Sequence, residues 1–262
     1  MLTYPQIDPV ALSLGPLQIH WYGLMYVIGF LGFLILGKYR AKKPNSPVTA
    51  EQVDDMMFYG ALGVVLGGRT GYMLFYNLSK LTDNPLSFFQ VWDGGMSFHG
   101  GLLGVILVMF ILAKKWNLKI LQIGDFVAPM IPIGLGAGRI GNFINGELWG
   151  KPTDVPWGMV FPQADQLARH PSQLYQFALE GVLLFTVLWL FSNKPRPTGS
   201  ISGLFLIMYG IVRIIVEFVR EPDYGIYVAW GWLTKGQVLS LPMIIIGFGL
   251  FLWAYKNNNK NT

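Results

Sequence analysis

Hydrophobic positions along this chain fall into long blocks rather than into alternating or one-sided stripes. Stretches such as HWYGLMYVIGFLGFLILGK (20–38) and ISGLFLIMYGIVRIIVEFV (201–219) are apolar nearly all round. A helix of that kind is buried or faces lipid, and about 20 such residues match the thickness of the bilayer hydrocarbon. The pattern predicts seven spans, at 20–38, 55–76, 96–113, 121–140, 172–192, 201–219 and 237–255. Glycines crowd the second one (Gly60, Gly63, Gly67, Gly68 and Gly71), as expected where membrane helices approach closely. The expected fold class is therefore an all-α integral membrane protein, a single polytopic domain over 1–262. The segment 141–171 reads as a small external cap, because KPTDVPWGMVFPQADQLARHP (151–171) is polar and proline-rich.

Composition agrees. Hydrophobic residues make up 53% of the 262 and charged residues 13%, against about 25% charged in soluble domains. The net charge of +5 is informative only by location. Eleven basic residues fall on one side of the spans, namely Lys38, Arg40, Lys42, Lys43, Lys114, Lys115, Lys119, Lys194, Arg196, Lys256 and Lys260. Five fall on the other, Lys80, Lys151, Arg169, Arg220 and Lys235. The positive-inside bias puts the C-terminus in the cytoplasm and the N-terminus outside. These clusters form no basic face, so no nucleic-acid partner is expected. The absence of cysteine excludes disulfides, thiolate metal sites and an enzyme-borne thiol nucleophile. His20, His99 and His170 have no metal-binding spacing, and neither a metal nor a cofactor is expected. The N-terminus has no positive charge before its first apolar run and does not read as a cleaved signal peptide.

The remaining three arginines, Arg69, Arg139 and Arg213, lie inside spans, all within roughly 10 Å of the outer edge at 1.5 Å per residue. Charges there are costly and are either functional or paired. Asp125, Glu180 and Glu217 are the candidate counter-charges. In the sixth span Tyr209, Arg213, Glu217 and Arg220 share one helix face. That face reads either as a self-satisfied Arg–Glu pair or as a stripe that holds an anion, for which arginine's bidentate geometry suits a lipid phosphate. The run GRIGNFINGELWG (138–150) places Arg139, Asn142, Asn145 and Glu147 where the chain leaves the bilayer. A Gly/Asn helix cap accounts for Gly141 or Asn142, but not for Arg139 and Glu147 together. His99, in WDGGMSFHGG, is either an interfacial hydrogen-bonding residue or a general base suited to neutral pH. His20, Trp21 and Tyr22 read first as an interfacial anchor, and His170 as a loop residue.

These stretches resemble the phosphatidylglycerol–prolipoprotein diacylglyceryl transferases over nearly the whole chain. The family signature G-R-x-G-N-F-x-N-x-E-x-x-G is met at every fixed position by 138–150. HWYGLMY (20–26), GGRTGY (67–72), VWDGGMSFHGG (91–101), RHPSQLYQ (169–176) and RIIVEFVREPD (213–223) are similar to further family segments. The resemblance implies a multi-pass enzyme of the bacterial inner membrane, monomeric, with its active site towards the periplasm. It would move the sn-1,2-diacylglyceryl group of phosphatidylglycerol to the lipobox cysteine of a preprolipoprotein, giving a thioether and glycerol 1-phosphate. The expected catalytic residues are Arg139, Arg213, His99 and Tyr22. The expected phosphatidylglycerol-binding residues are Arg139, Arg213, Asn142, Glu147, Tyr209, Glu217, Arg69 and Arg220. An anion or lipid transporter would use the same arginines but would need a path to the cytoplasmic side, and all three in-span arginines lie in the outer half. A structural scaffold would not need arginines on three helices.

Overall fold

The computed structural model describes residues 2–15, 17–222 and 226–258. Lys260, among the basic residues counted above, and Asp223, at the end of the 213–223 stretch, lie outside these. The helices in chain order are α1 (Trp21–Ala41), α2 (Ala50–Phe75), α3 (Leu78–Asp83), α4 (Phe98–Lys115), α5 (Ile120–Val127) and α6 (Ile131–Ile144). They continue with α7 (Ser172–Gln176), α8 (Leu184–Phe191), α9 (Ser200–Glu217) and α10 (Lys235–Asn258). A 3-10 turn at Ala128–Met130 joins α5 to α6 beside Pro129 and Pro132. A π-helical turn at Phe177–Leu183 joins α7 to α8.

Among the described residues six helices are long and apolar enough to cross a membrane. Many of their large apolar side chains, Ile245, Leu252 and Leu190 among them, are exposed rather than packed inside. This is the outward face that lipid covers, and the fold is that of a helical multi-pass membrane protein. The predicted span 55–76 lies in α2, which is 26 residues long but is not one of the six. Glu51, Asp54, Asp55 and a buried Arg69 lower its apolar character.

Two small sheets accompany the helices, which the apolar blocks did not foretell. Strands β1 (Leu2–Thr3), β4 (Met159–Val160) and β5 (Ala168–Arg169) form one sheet, and β2 (Val10–Leu14) with β3 (Leu17–His20) forms a hairpin. The N-terminal end of the chain thus pairs in parallel with the cap segment, Leu2 opposite Met159. Tyr4 then packs with Phe143 and Phe161, and its hydroxyl donates to the carbonyls of Phe143 and Ile144, both at 2.7 Å. Those carbonyls belong to the last turn of α6, where the Phe143 oxygen also accepts from Gly146 N at 3.0 Å.

The chain packs as two compact units, Gly37–Phe126, and Met1–Leu36 with Val127–Thr262. In Gly37–Phe126, α2 crosses α4 on glycine. A Cβ on Gly67 would stand 2.4 Å from the Gly100 oxygen, and one on Gly104 would stand 2.1 Å from the Gly63 oxygen. The close helix approach expected from the glycines is what the structure shows. In the other unit, α6 crosses the π turn with a Cβ on Gly181 only 2.9 Å from the Gly136 Cα. There α9 packs along α10, again through a glycine pair, Gly203 and Gly247. Ala128, Leu184, Leu188 and Ile201 form an apolar core beside them.

Candidate active site

The unit made of Met1–Leu36 and Val127–Thr262 contains a chain of charges drawn from three helical segments. Glu180, on the π turn, is completely buried. Its Oε2 accepts from Arg139 of α6 at 3.1 Å, and its Oε1 from Arg213 of α9 at 3.3 Å. Arg213 also donates to Glu217 at 2.5 Å, and Glu217 accepts from Arg220 at 3.1 Å and from the Thr234 hydroxyl at 2.8 Å. A Cβ on Gly236 would stand 2.6 Å from the Glu217 carboxyl carbon, so that carboxylate is closed in on its remaining side.

One feature makes this more than a set of satisfied pairs. The accessibility is one-sided: the side chains of Glu180 and Glu217 are 0% and 1% exposed, those of Arg139 and Arg213 are 18% and 14%. The carboxylates are sealed beneath the guanidinium groups, which keep an open side. Buried acids hold the arginines in place, and the arginines present a cationic surface suited to an anion.

The polar residues of 138–150 form a second cluster at the end of α6. Asn142 and Asn145 both donate to Glu147 Oε1, at 2.9 and 3.2 Å. The turn is held to α7, where Gln173 Nε2 donates to the Glu147 carbonyl at 2.6 Å and Ser172 Oγ to the Leu148 carbonyl at 2.8 Å. Gly146 adopts φ 63° there, a conformation glycine takes without strain. Gly141 lies against the ring of Tyr22, whose Cδ2 would be 2.7 Å from an added Cβ. Gly138 has nothing within 4 Å of an added Cβ. An apolar groove of about 330 Å³, lined among others by Met25, Ile28, Ile133, Ile140, Phe177 and Val182, runs along α1, α6 and the π turn.

Family comparison decides what these residues belong to. The model of the family described as prolipoprotein diacylglyceryl transferase matches residues 9–253. A phosphatidylglycerol–prolipoprotein diacylglyceryl transferase of a Marinomonas species is 62% identical, over 98% of this chain and 97% of its own length. Proteins of the same description from Pseudomonas paraeruginosa and Coxiella burnetii are 61% and 59% identical, over 98% and 99% of this chain. The chain belongs to the prolipoprotein diacylglyceryl transferase family. As a member of that family it is a membrane transferase, and the signature run 138–150 lies within the matched residues.

Within this family member, the structure brings Arg139, Arg213, Glu217 and Arg220 into one network, and Asn142 with Glu147 into the neighbouring turn. Glu180, named from sequence only as a possible counter-charge, is the hub. Tyr209 shares the face of Arg213, with its ring stacked on Phe205 at 5.7 Å. Thr234, Gln173 and Gly236 were not anticipated. Thr234 and Gly236 lie outside the quoted motifs and Gln173 inside one, and none of them carries a signal until the fold sets them against Glu217 and Glu147.

Arg69 and His99 belong to Gly37–Phe126. Arg69 is 1% exposed, and its guanidinium makes five hydrogen bonds to backbone carbonyls, those of Ser87, Phe88, Gln90, Gly94 and Gly95. A guanidinium has five donors, so none is left over for a phosphate. In this structure Arg69 is a clamp that shapes the 3-10 turns Pro85–Phe89 and Val91–Asp93. His99 is exposed in the first turn of α4, its ring against Phe98 at 5.6 Å, and Ser97 caps that helix by accepting from Gly100 N at 3.2 Å.

In the cap, Arg169 grips Asp165 through both carboxylate oxygens, at 3.1 and 2.6 Å, and reaches Glu221 at 3.2 Å. These contacts hold the Asp165 carboxyl below the usual carboxylate range. Burial pushes the His170 imidazole down from its ordinary value. Its Nδ1 lies 3.2 Å from the Tyr175 hydroxyl, which accepts from Trp157 Nε1 at 2.6 Å.

Proposed function

We propose that the arginine network holds the phosphate of phosphatidylglycerol while the sn-1,2-diacylglyceryl group passes to the lipobox cysteine of a preprolipoprotein. The observation that carries this reading is the geometry at Glu180: one sealed carboxylate fixes Arg139 and Arg213 side by side, with their open sides accessible. In the reaction the cysteine sulfur bonds to glyceryl C3, and the C3–O bond to phosphorus breaks with its electron pair leaving on oxygen. Glycerol 1-phosphate departs. A monoester carries more negative charge than the diester it came from. Guanidinium groups already in position therefore bind the transition state and product more tightly than the substrate, and that difference is catalysis.

The thiol has an ordinary pKa of about 8.5 and is mostly protonated at neutral pH, so a base or a cationic field must favour the thiolate. His99 is assigned as that base. Tyr22, fixed against Gly141, and Tyr209, one turn before Arg213, are assigned to line the headgroup site with Asn142 and Glu147. The apolar groove along α1, α6 and the π turn suits an acyl chain.

The reading includes seven spans, with α2 as the seventh, in the inner membrane of a bacterium. The N-terminus is outside, the C-terminus is cytoplasmic, and the site of this monomeric enzyme faces the periplasm, as the basic-residue bias supports. A periplasm-only reporter fused after Thr262 should be inactive, and activity there would reverse the topology. For the reaction itself, purified protein is incubated with phosphatidylglycerol and a lipobox peptide. Mass spectrometry should find the diacylglyceryl thioether on the peptide cysteine. Peptide that stays unmodified in the presence of folded protein would refute the assignment.

A further inference from the structure

Gln176 is fully buried at the end of α7, and among the described residues neither its Oε1 nor its Nε2 has a hydrogen-bond partner. Gln173, one turn earlier, is equally buried. Its Nε2 donates to the Glu147 carbonyl, which fixes the orientation of the amide and leaves its Oε1 without a partner. Four residues beyond Gln176 comes Glu180. Positions 173, 176 and 180 recur at helical spacing and share a face, the face from which Glu180 reaches Arg139 and Arg213. Helix α7 packs on α6 and α9, which carry those two arginines.

Buried polar atoms left unmade cost roughly 1–3 kcal/mol each, so a pair of such amides beside a binding site points to a ligand that completes them. The missing partners have a definite chemistry. Two carbonyl oxygens need hydrogens, and one amide nitrogen needs an acceptor. A phosphodiester brings acceptors only. An ammonium brings hydrogens but cannot accept from Nε2, and three nearby arginines would repel it. A hydroxyl does both.

We propose that Gln176, with Gln173 beside it, binds the two hydroxyls of the glycerol headgroup of phosphatidylglycerol and so determines headgroup specificity. This rests on the reading that Arg139 and Arg213 hold the adjoining phosphate. The headgroup leaves with the phosphate, so Gln176 selects the lipid without touching the carbon that reacts.

The test compares phosphatidylglycerol with phosphatidylpropanol, which has the same phosphodiester and acyl chains but no headgroup hydroxyls. Purified protein in mixed micelles transfers to a lipobox peptide, and kcat/KM is measured for each lipid. Wild type should prefer phosphatidylglycerol by about 100-fold or more, since a site built to hydrogen-bond a hydroxyl discriminates strongly against its absence. Gln176→Met keeps length and volume but loses both polar atoms. It should cut that preference at least about tenfold, through slower phosphatidylglycerol turnover, with the propanol lipid unchanged or faster. An equal fall for both lipids in Gln176→Met would make the amide merely structural and overturn the proposal. If that variant does not fold, wild type that turns over both lipids equally overturns it by itself. Failure of the underlying phosphate reading shows separately, as Arg139→Ala with normal rates on both lipids.

Discussion

Arg213 and Glu180 meet across two helical segments at 3.3 Å, and Glu180 has no exposed surface at all. The acid is therefore structural for the arginines, and the arginines are what a ligand can reach. This separates the expected effects of mutation. Arg139→Ala and Arg213→Ala should each lower kcat by about 10²–10³-fold, the scale of losing one preorganised charge-stabilising donor, while the protein still folds. Glu180→Leu removes the acid that Arg139 and Arg213 share, leaving Arg213 with Glu217 alone, and should destabilise by up to about 3–5 kcal/mol. Glu217→Gln keeps its shape against Gly236 and should lose only part of the activity. Thermal unfolding and initial rates on the same preparations check all four. A stable, fully active Arg213→Ala would remove the anchoring role.

Two glycines of the signature should behave differently. Gly141→Ala puts a methyl group into Tyr22, and should reduce both stability and turnover, by about 1–3 kcal/mol for an overpacked contact. Gly138→Ala meets no protein atom, and should hold or raise stability, as alanine is the better helix former by up to about 1 kcal/mol. Any rise in KM for Gly138→Ala then reports a lipid lying against α6. If Gly141→Ala is as stable and active as wild type, Tyr22 is not held as described.

The base role of His99 makes a prediction about pH. His99→Gln should slow transfer at neutral pH, and the defect should shrink as the pH approaches that of the free thiol, about 8.5, where thiolate forms unaided. Initial rates against pH, with saturating phosphatidylglycerol, decide it. A mutant-to-wild-type ratio that does not vary with pH would leave the cationic field as the sole source of thiolate.

His170 gives the cap a pH dependence of its own. Its folded-state pKa is depressed by burial, so the unfolded chain takes up the proton first. The stabilisation is present above the unfolded value, about 6.5, and is lost as the pH falls from there through the folded value. His170→Asn offers an acceptor near the Nδ1 position without titrating. Between pH 7.5 and 5.5 the wild-type Tm should fall by more than that of His170→Asn; parallel curves would exclude His170 as the source.

The amino-acid sequence by itself determined where the helices run and which charges lie inside them. Backbone in hydrocarbon must satisfy its own hydrogen bonds, so apolar runs of span length become helices whatever surrounds them. A charge inside such a run is too costly to be incidental, and Arg139, Arg213 and Glu217 were legible for that reason. Partners were not legible. Glu180 lies 41 residues from Arg139 and 33 from Arg213, and Asp125 was equally available as an acid until packing chose. Arg69 shows the limit most clearly. It obeys the same pattern as the other two in-span arginines, yet its donors go to carbonyls of a turn. The same was true of Leu2 and Thr3, two residues with no strand signal of their own, which pair with the cap only because the fold brings Met159 and Val160 to them. Periodicity and cost per residue are local and can be read along the chain. Which buried donor meets which acceptor depends on helices meeting in space, and only the tertiary structure decides that.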